Sequence, residues 1–216
     1  MIAISVNSQK LDALRQRAMD AGQANEAATV GARAVKGFLV DYLADLDEAR
    51  PNKMGGVRTH FFAQVARSVQ NPKTEHGRAS ISINHVGFAQ RLLGGIIRAG
   101  QGLSSKSGRP TKLLAIPARA EAYGKTPGEF HDLEFVPTGN GEGMLVQTFQ
   151  TQFIRGRRKG DYHTQKVGGL AMFWLVKQVT QKPDATVLPS SKAMAGAATD
   201  AMEDYLNRKL SEGGKN

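Results

Sequence analysis

The chain has no cysteine and a single tryptophan, and aromatic residues make up only 6% of its 216 positions. Without cysteine there is no disulfide, no thiolate metal ligand and no thiol nucleophile, a composition that fits a protein made in a reducing cytoplasm. No apolar run approaches the roughly 20 residues of a bilayer-spanning helix. The opening Met-Ile-Ala-Ile-Ser-Val-Asn also lacks the basic start of a signal peptide. A soluble, unexported protein without a membrane partner is therefore expected. Acidic residues are scarce in one place above all: between Pro51 and Gly128, Glu75 and Glu121 stand against 12 of the 29 Lys and Arg. The rest of the chain nearly cancels, so this stretch accounts for the whole formal charge of +10. Like charge gathered in a third of the length repels itself, and the usual compensation is a polyanionic partner or a well-solvated face.

With 40% hydrophobic and 22% charged residues, the composition is that of a globular protein, and the length suits one domain spanning residues 1–216. Ile2, Ile4 and Val6 alternate as a short strand before Asn7 or Ser8 caps a helix carrying Leu11, Leu14, Ala18 and Ala21, closed by Gly22. A second helix is expected from Asn25 to Arg50, its stripe made by Val35, Phe38, Leu39, Tyr42, Leu43 and Leu46. Thr59 is the expected cap of a third, with Phe61, Phe62, Val65 and Val69 inward. From Arg78 the period becomes two, with Ala79, Ile81, Ile83 and His85 alternating as one half-buried strand and the fold turning to sheet. Residues 86–93 fit helix or strand equally.

Leu113, Leu114 and Ile116 form a short strand that Pro117 ends or places at an edge. Leu133, Phe135 and Val136 lead through Gly139, Gly141 and Gly143 into the longest expected strand, Met144 to Ile154, paired with Leu170 to Thr180 across a polar connection from Arg155 to Gly169. A helix from about Ser190 to Ser211, capped by Ser190 or Ser191, buries Met194, Ala198, Ala201, Met202, Tyr205 and Leu206. The expected fold class is α+β: a mixed or antiparallel sheet with a long β-hairpin, packed by N-terminal helices and a C-terminal helix. Loops at about 100–112 and 155–169 are expected to be flexible or ordered by a partner.

Catalytic patterns are not found. The five histidines stand singly with no pair at ligand spacing, and there is no nucleophile elbow or phosphate loop. Glu129, His131, Asp132 and Glu134 crowd a loop-to-strand junction, where a solvated edge is the better reading. No catalytic residue, cofactor or metal is therefore assigned.

The cations are the candidates. Arg98, Lys106, Arg109 and Lys112 could follow a phosphate backbone or face an acidic partner. No groove-reading element accompanies them, so any DNA contact would be without sequence specificity. Arg155, Arg157, Arg158 and Lys159 sit at the tip of the long hairpin as a candidate subunit contact, with a solubilising tip as the plainer reading. Phe173 and Trp174 are neighbours that a strand sends to opposite faces, so one of them could be covered only by another subunit.

Several stretches, Arg58 to Val69 (RTHFFAQVARSV), His85 to Gly95 (HVGFAQRLLGG), Leu114 to Arg119 (LAIPAR) with Glu121 to Gly124 (EAYG), and Phe173 to Val176 (FWLV) with Gln181 to Asp184 (QKPD) and Val187 to Pro189 (VLP), carry a resemblance in order and spacing. Together they resemble the virion morphogenesis, or tail-completion, proteins of Mu-like siphophages and prophages. The resemblance implies a non-enzymatic homo-oligomeric ring, six-fold if it caps a tail tube. Its implied neighbours are the tail tube protein and head–tail connector proteins, with transiting double-stranded DNA in the channel. It implies a place in the virion, in the tail or neck, after assembly in the host cytoplasm. The loop from Gly100 to Lys112 is longer than that pattern suggests. A free basic DNA-binding accessory protein is the alternative.

Overall fold

The computed structural model describes residues 2–3, 9–20, 22–50, 54–100, 111–154 and 162–213. Helices and antiparallel sheets coexist in an α+β fold, with helices at both ends of the chain. The chain, read above as one domain, divides into two compact units. Met1–Arg50, His60–Gly94 and Lys182–Asn216 form the first; Pro51–Thr59 and Gly95–Gln181 form the second.

The first unit contains β1 (Ile2–Ala3), α1 (Gln9–Asp20), α2 (Ala24–Ala49), α3 (Phe61–Arg67), β2 (Lys73–Glu75), β3 (Arg78–Ser80), β4 (Ser82–Ile83), α4 (Phe88–Leu93) and α5 (Ser191–Gly213). Every fourth residue of α2 is buried, from Ala27 through Gly31, Val35 and Leu39 to Leu43, which makes a continuous ridge along one face. Leu39 and Leu43 are wholly buried, and each such burial stabilises by about 1.5–3 kcal/mol. α5 packs on this ridge where the Met202 thioether lies 2.9 Å from the place a Cβ of Gly31 would take. The absent side chain sets the closeness of that approach. The Tyr205 hydroxyl ties the pair further, lying 2.7 Å from Gln23 Oε1 and bonding the Glu26 carboxylate. Of the two serines expected to cap α5, Ser190 does so, its Oγ accepting from Ala193 N–H at 3.2 Å.

Two expectations are corrected in this unit, and one open stretch is resolved. Thr59 does not cap α3; the residue before that helix is His60, in the left-handed region at φ 50°. The cap comes instead from α2, where Asp47 Oδ1 accepts the Ala63 N–H at 3.3 Å and Oδ2 lies 2.8 Å from His60 Nδ1. The single strand expected from Arg78 to His85 is broken at Ile81, because β3 pairs with β2 while β4 pairs with β1. Ile81 and Ile83 do face the core, whereas Ala79 is exposed. Finally, the ambiguous stretch resolves as α4, set between positive-φ Gly87 and Gly94 with Phe88 buried.

The second unit holds β5 (Gly95–Arg98), β6 (Leu114–Pro117), β7 (Leu133–Gly139), β8 (Glu142–Ile154), β9 (Tyr162–Val176) and β10 (Gln178–Gln181). An antiparallel sheet runs in the order β6-β9-β8-β7, and β5 pairs with β10 separately. Pro117 closes the edge strand β6, a position where a missing N–H removes no ladder bond to a further neighbour. Asn140 and Gly141, both at positive φ, make the two-residue turn from β7 to β8.

The hairpin differs from its expected form. β9, at 15 residues, outruns the 13 of β8, and Lys166 belongs to the ladder opposite Gln150 rather than to a connecting loop. The expected partner 170–180 is interrupted at Lys177, whose N–H donates to Glu142 Oε1 at 2.8 Å and whose carbonyl accepts from Ala99 N–H at 2.8 Å. Those two bonds pass the chain from β9 to β10. A small core of Ala122, Met172 and Phe173, flanked by Ala115, Phe130, Leu133 and Leu145, covers one side of the sheet.

Candidate partner-facing surface

Division into units redistributes the charge. The second unit holds fourteen Lys and Arg against six Asp and Glu, a formal charge of +8, while the first holds fifteen against thirteen, or +2. Of the excess of +10 seen between Pro51 and Gly128, +7 falls in this second unit. Arg67, Lys73, Arg78 and Arg91 of that stretch lie in the first unit, whose thirteen Asp and Glu nearly balance its fifteen Lys and Arg.

Arg98 ends β5 opposite Gln178, and Lys112 precedes β6; both are exposed. Gly100 N–H donates to Thr111 Oγ1 at 3.4 Å, so the two feet of segment 101–110 are held together and Arg98 and Lys112 flank them. Lys106 and Arg109 fall in that segment, outside the described residues. Arg155, Arg157, Arg158 and Lys159 likewise lie outside them, beyond the last described ladder pair, Ile154 with Tyr162. Lys125 is spent locally, its Nζ 5.4 Å from the centre of the Phe130 ring.

Neighbouring Phe173 and Trp174 do point to opposite sides of the sheet. Phe173 is 0% exposed and Trp174 44%. The register places Ile116, Trp174, Met144 and Val136 in one row across all four strands, with Leu114 and Val176 two residues along on the same side. None of these six is buried. Residue spacing alone identified the Phe-Trp divergence; the row across four strands needed the register.

The crowded carboxylates resolve as turn structure. Glu129 Oε1 accepts from the N–H and the hydroxyl of Thr126 at 2.9 and 2.8 Å, closing a capping box. Asp132 sits in the left-handed region at φ 61°. Among the described residues no group of three His, Asp or Glu is placed to hold a metal, and no helix is long and apolar enough to cross a membrane. An open groove of about 1050 Å³ in the first unit has a floor of small apolar residues, including Ala28, Gly31 and Ala32. Its charged lining sets Arg15, Lys73 and Arg78 against Asp12 and Glu75, a near balance that gives a polyanion little hold.

One acid is electrostatically distinctive, and its role is structural. The Thr186 hydroxyl bonds Asp184 and, with the Arg50 guanidinium and the Thr186 N–H, holds its carboxyl below the ordinary carboxylate range against the opposing effect of burial. Arg50 Nη1 lies 2.9 Å from Asp184 Oδ2 and Arg91 Nε 3.8 Å from it, and both guanidiniums stand over the Phe62 ring. Asp184 therefore joins the end of α2 to α3 and α4. Its depressed pKa makes this contribution complete above the unfolded carboxyl value and lost as pH falls through the lower folded value. Replacement by Asn should cost about 1–2 kcal/mol at neutral pH. It should also flatten the fall of the urea midpoint below about pH 4, measured by denaturation at pH 7 and pH 3.

No protein family matches the chain, and no curated protein and no solved structure matches it either. Function is therefore read from the residues and their arrangement.

Proposed function

We propose that the chain is a structural virion protein of the phage head–tail junction, a tail-completion, tail-terminator or neck component that forms a homo-oligomeric ring and part of the DNA channel. The observation that carries this reading is the concentration of most of the charge, +8 of +10, in the sheet unit, whose apolar row of Ile116, Trp174, Met144 and Val136 has Trp174 and Val136 exposed and the other two half-buried. A body with exposed apolar residues in a row across its sheet and a large cationic excess suits a subunit that packs against its like and lies beside DNA.

The sequence stretches that resemble tail-completion proteins agree with a scaffold role. They supply buried Phe62, Val65, Phe88, Ala122, Phe173 and Val187, together with the Asp184 clamp. In this reading Arg98, Lys106, Arg109 and Lys112 face transiting double-stranded DNA or an acidic neighbour, without sequence specificity. Arg155, Arg157, Arg158 and Lys159 belong to a subunit contact. The tail tube protein and head–tail connector proteins are the adjoining partners, and no catalytic step is assigned. Locating the labelled chain in purified particles tests the proposal.

A further inference from the structure

The β8–β9 ladder continues where the sheet stops. β7 accompanies β8 only as far as Gln147, opposite Leu133, and β6 accompanies β9 only from Val176 to Phe173. Thr148 N–H still donates to the Asp132 carbonyl at 3.4 Å; from Phe149 to Ile154 the two long strands have no third strand beside them among the described residues. Six residues make an arm of about 20 Å. A two-stranded ribbon is marginally stable in water on its own, so an arm of this length needs a surface to lie on.

Its root is shaped to leave the sheet. The register shifts between Leu145 and Val146 and again between Thr148 and Gln150, and such bulges bend a ribbon and sharpen its twist. Gly168, at φ 68°, adds a conformation that a side chain would strain. At Gly169 a Cβ would stand 2.3 Å from a methyl of Val146, so the glycine admits the close crossing of the two strands there.

The same unit presents the row of Ile116, Trp174, Met144 and Val136, in which Trp174 and Val136 are exposed and the other two half-buried. Across four strands this row is about 15 Å wide, comparable to the length of the arm. The arm cannot cover the row of its own chain, because β8 and β9 are the central strands of that sheet and the arm prolongs them. We infer that the arm of one copy lies across the Trp174 row of the next. Each subunit then both gives an arm and receives one, a head-to-tail contact that closes into a ring when its rotation permits. This rests on the self-association in the proposed ring and specifies the contact that produces it.

The cysteine-free chain allows a direct test. Full-length chains carrying either Val136→Cys or Gln152→Cys are mixed and treated with a bismaleimide, while light scattering follows the mass of the unmodified chain. The expected result is a crosslinked pair in the mixture and in neither variant alone. Trp174→Asp, with Val136→Lys as a second variant and circular dichroism to show that both are folded, should weaken self-association at least about 30-fold. If the chain assembles without the mixed crosslink and both variants assemble normally, the arm contact is wrong and the ring survives. If the chain stays monomeric at every concentration, both fall.

Discussion

Phe173→Ala is expected to destabilise the second unit by about 3–5 kcal/mol, while Trp174→Ser, one residue along the same strand, costs no more than about 1 kcal/mol in dilute solution. The contrast follows from the pleat. Phe173 is fully buried in the small cluster with Ala122 and Met172, where the Phe130 ring meets it edge-on at 5.5 Å. Little else is available there to close over the cavity. Trp174 faces the other way and is 44% exposed. Urea denaturation checks both: Trp174 is the only tryptophan and reports the unfolding of Phe173→Ala, and circular dichroism serves for Trp174→Ser. Equal losses for the two variants would mean that the row beside Trp174 is core, and the contact surface assigned to it would be withdrawn.

Reversal of Arg98, Lys106, Arg109 and Lys112 to Glu is expected to abolish DNA-filled particles while leaving the fold intact. Four reversals take the second unit from +8 to zero. Arg98 and Lys112 are exposed at the feet of a segment rather than in a core, so stability should change by no more than about 0.5 kcal/mol per site. Particle yield, DNA content and thermal unfolding check the variant. Fully infectious particles would show that the charge has no such role. A salt-dependent mobility assay separates the alternative reading, a free DNA-binding accessory protein. That protein would be monomeric and bind duplex strongly, with an affinity falling steeply as salt rises.

Much of the fold was legible because it rests on local periodicity. The stripe of α2, the capping serine before α5, Pro117 at a sheet edge and the divergence of Phe173 and Trp174 all follow from repeats of 3.6 or 2 and from one-residue chemistry. What the sequence concealed depends on partners far along the chain. Asp47 caps α3 from another helix, which no reading around Thr59 could reveal. Ile81 separates two strands because β3 and β4 choose different neighbours. Lys177 ends β9 through Glu142 and Ala99, both distant in sequence. The candidate surface was legible as a charge excess, since counting suffices for that. Its concentration in one unit was not, because the unit is assembled from two separated segments. Lys106, Arg109 and the cations of the hairpin tip lie outside the described residues, so their assignment still rests on sequence.

The most direct measurement is electron microscopy of purified phage particles in which this chain carries an affinity label. The ring proposal expects label at a single position, where the tail tube meets the head, in several copies arranged around the axis. Particles free of label, or label spread over the capsid or along the tail, would contradict it.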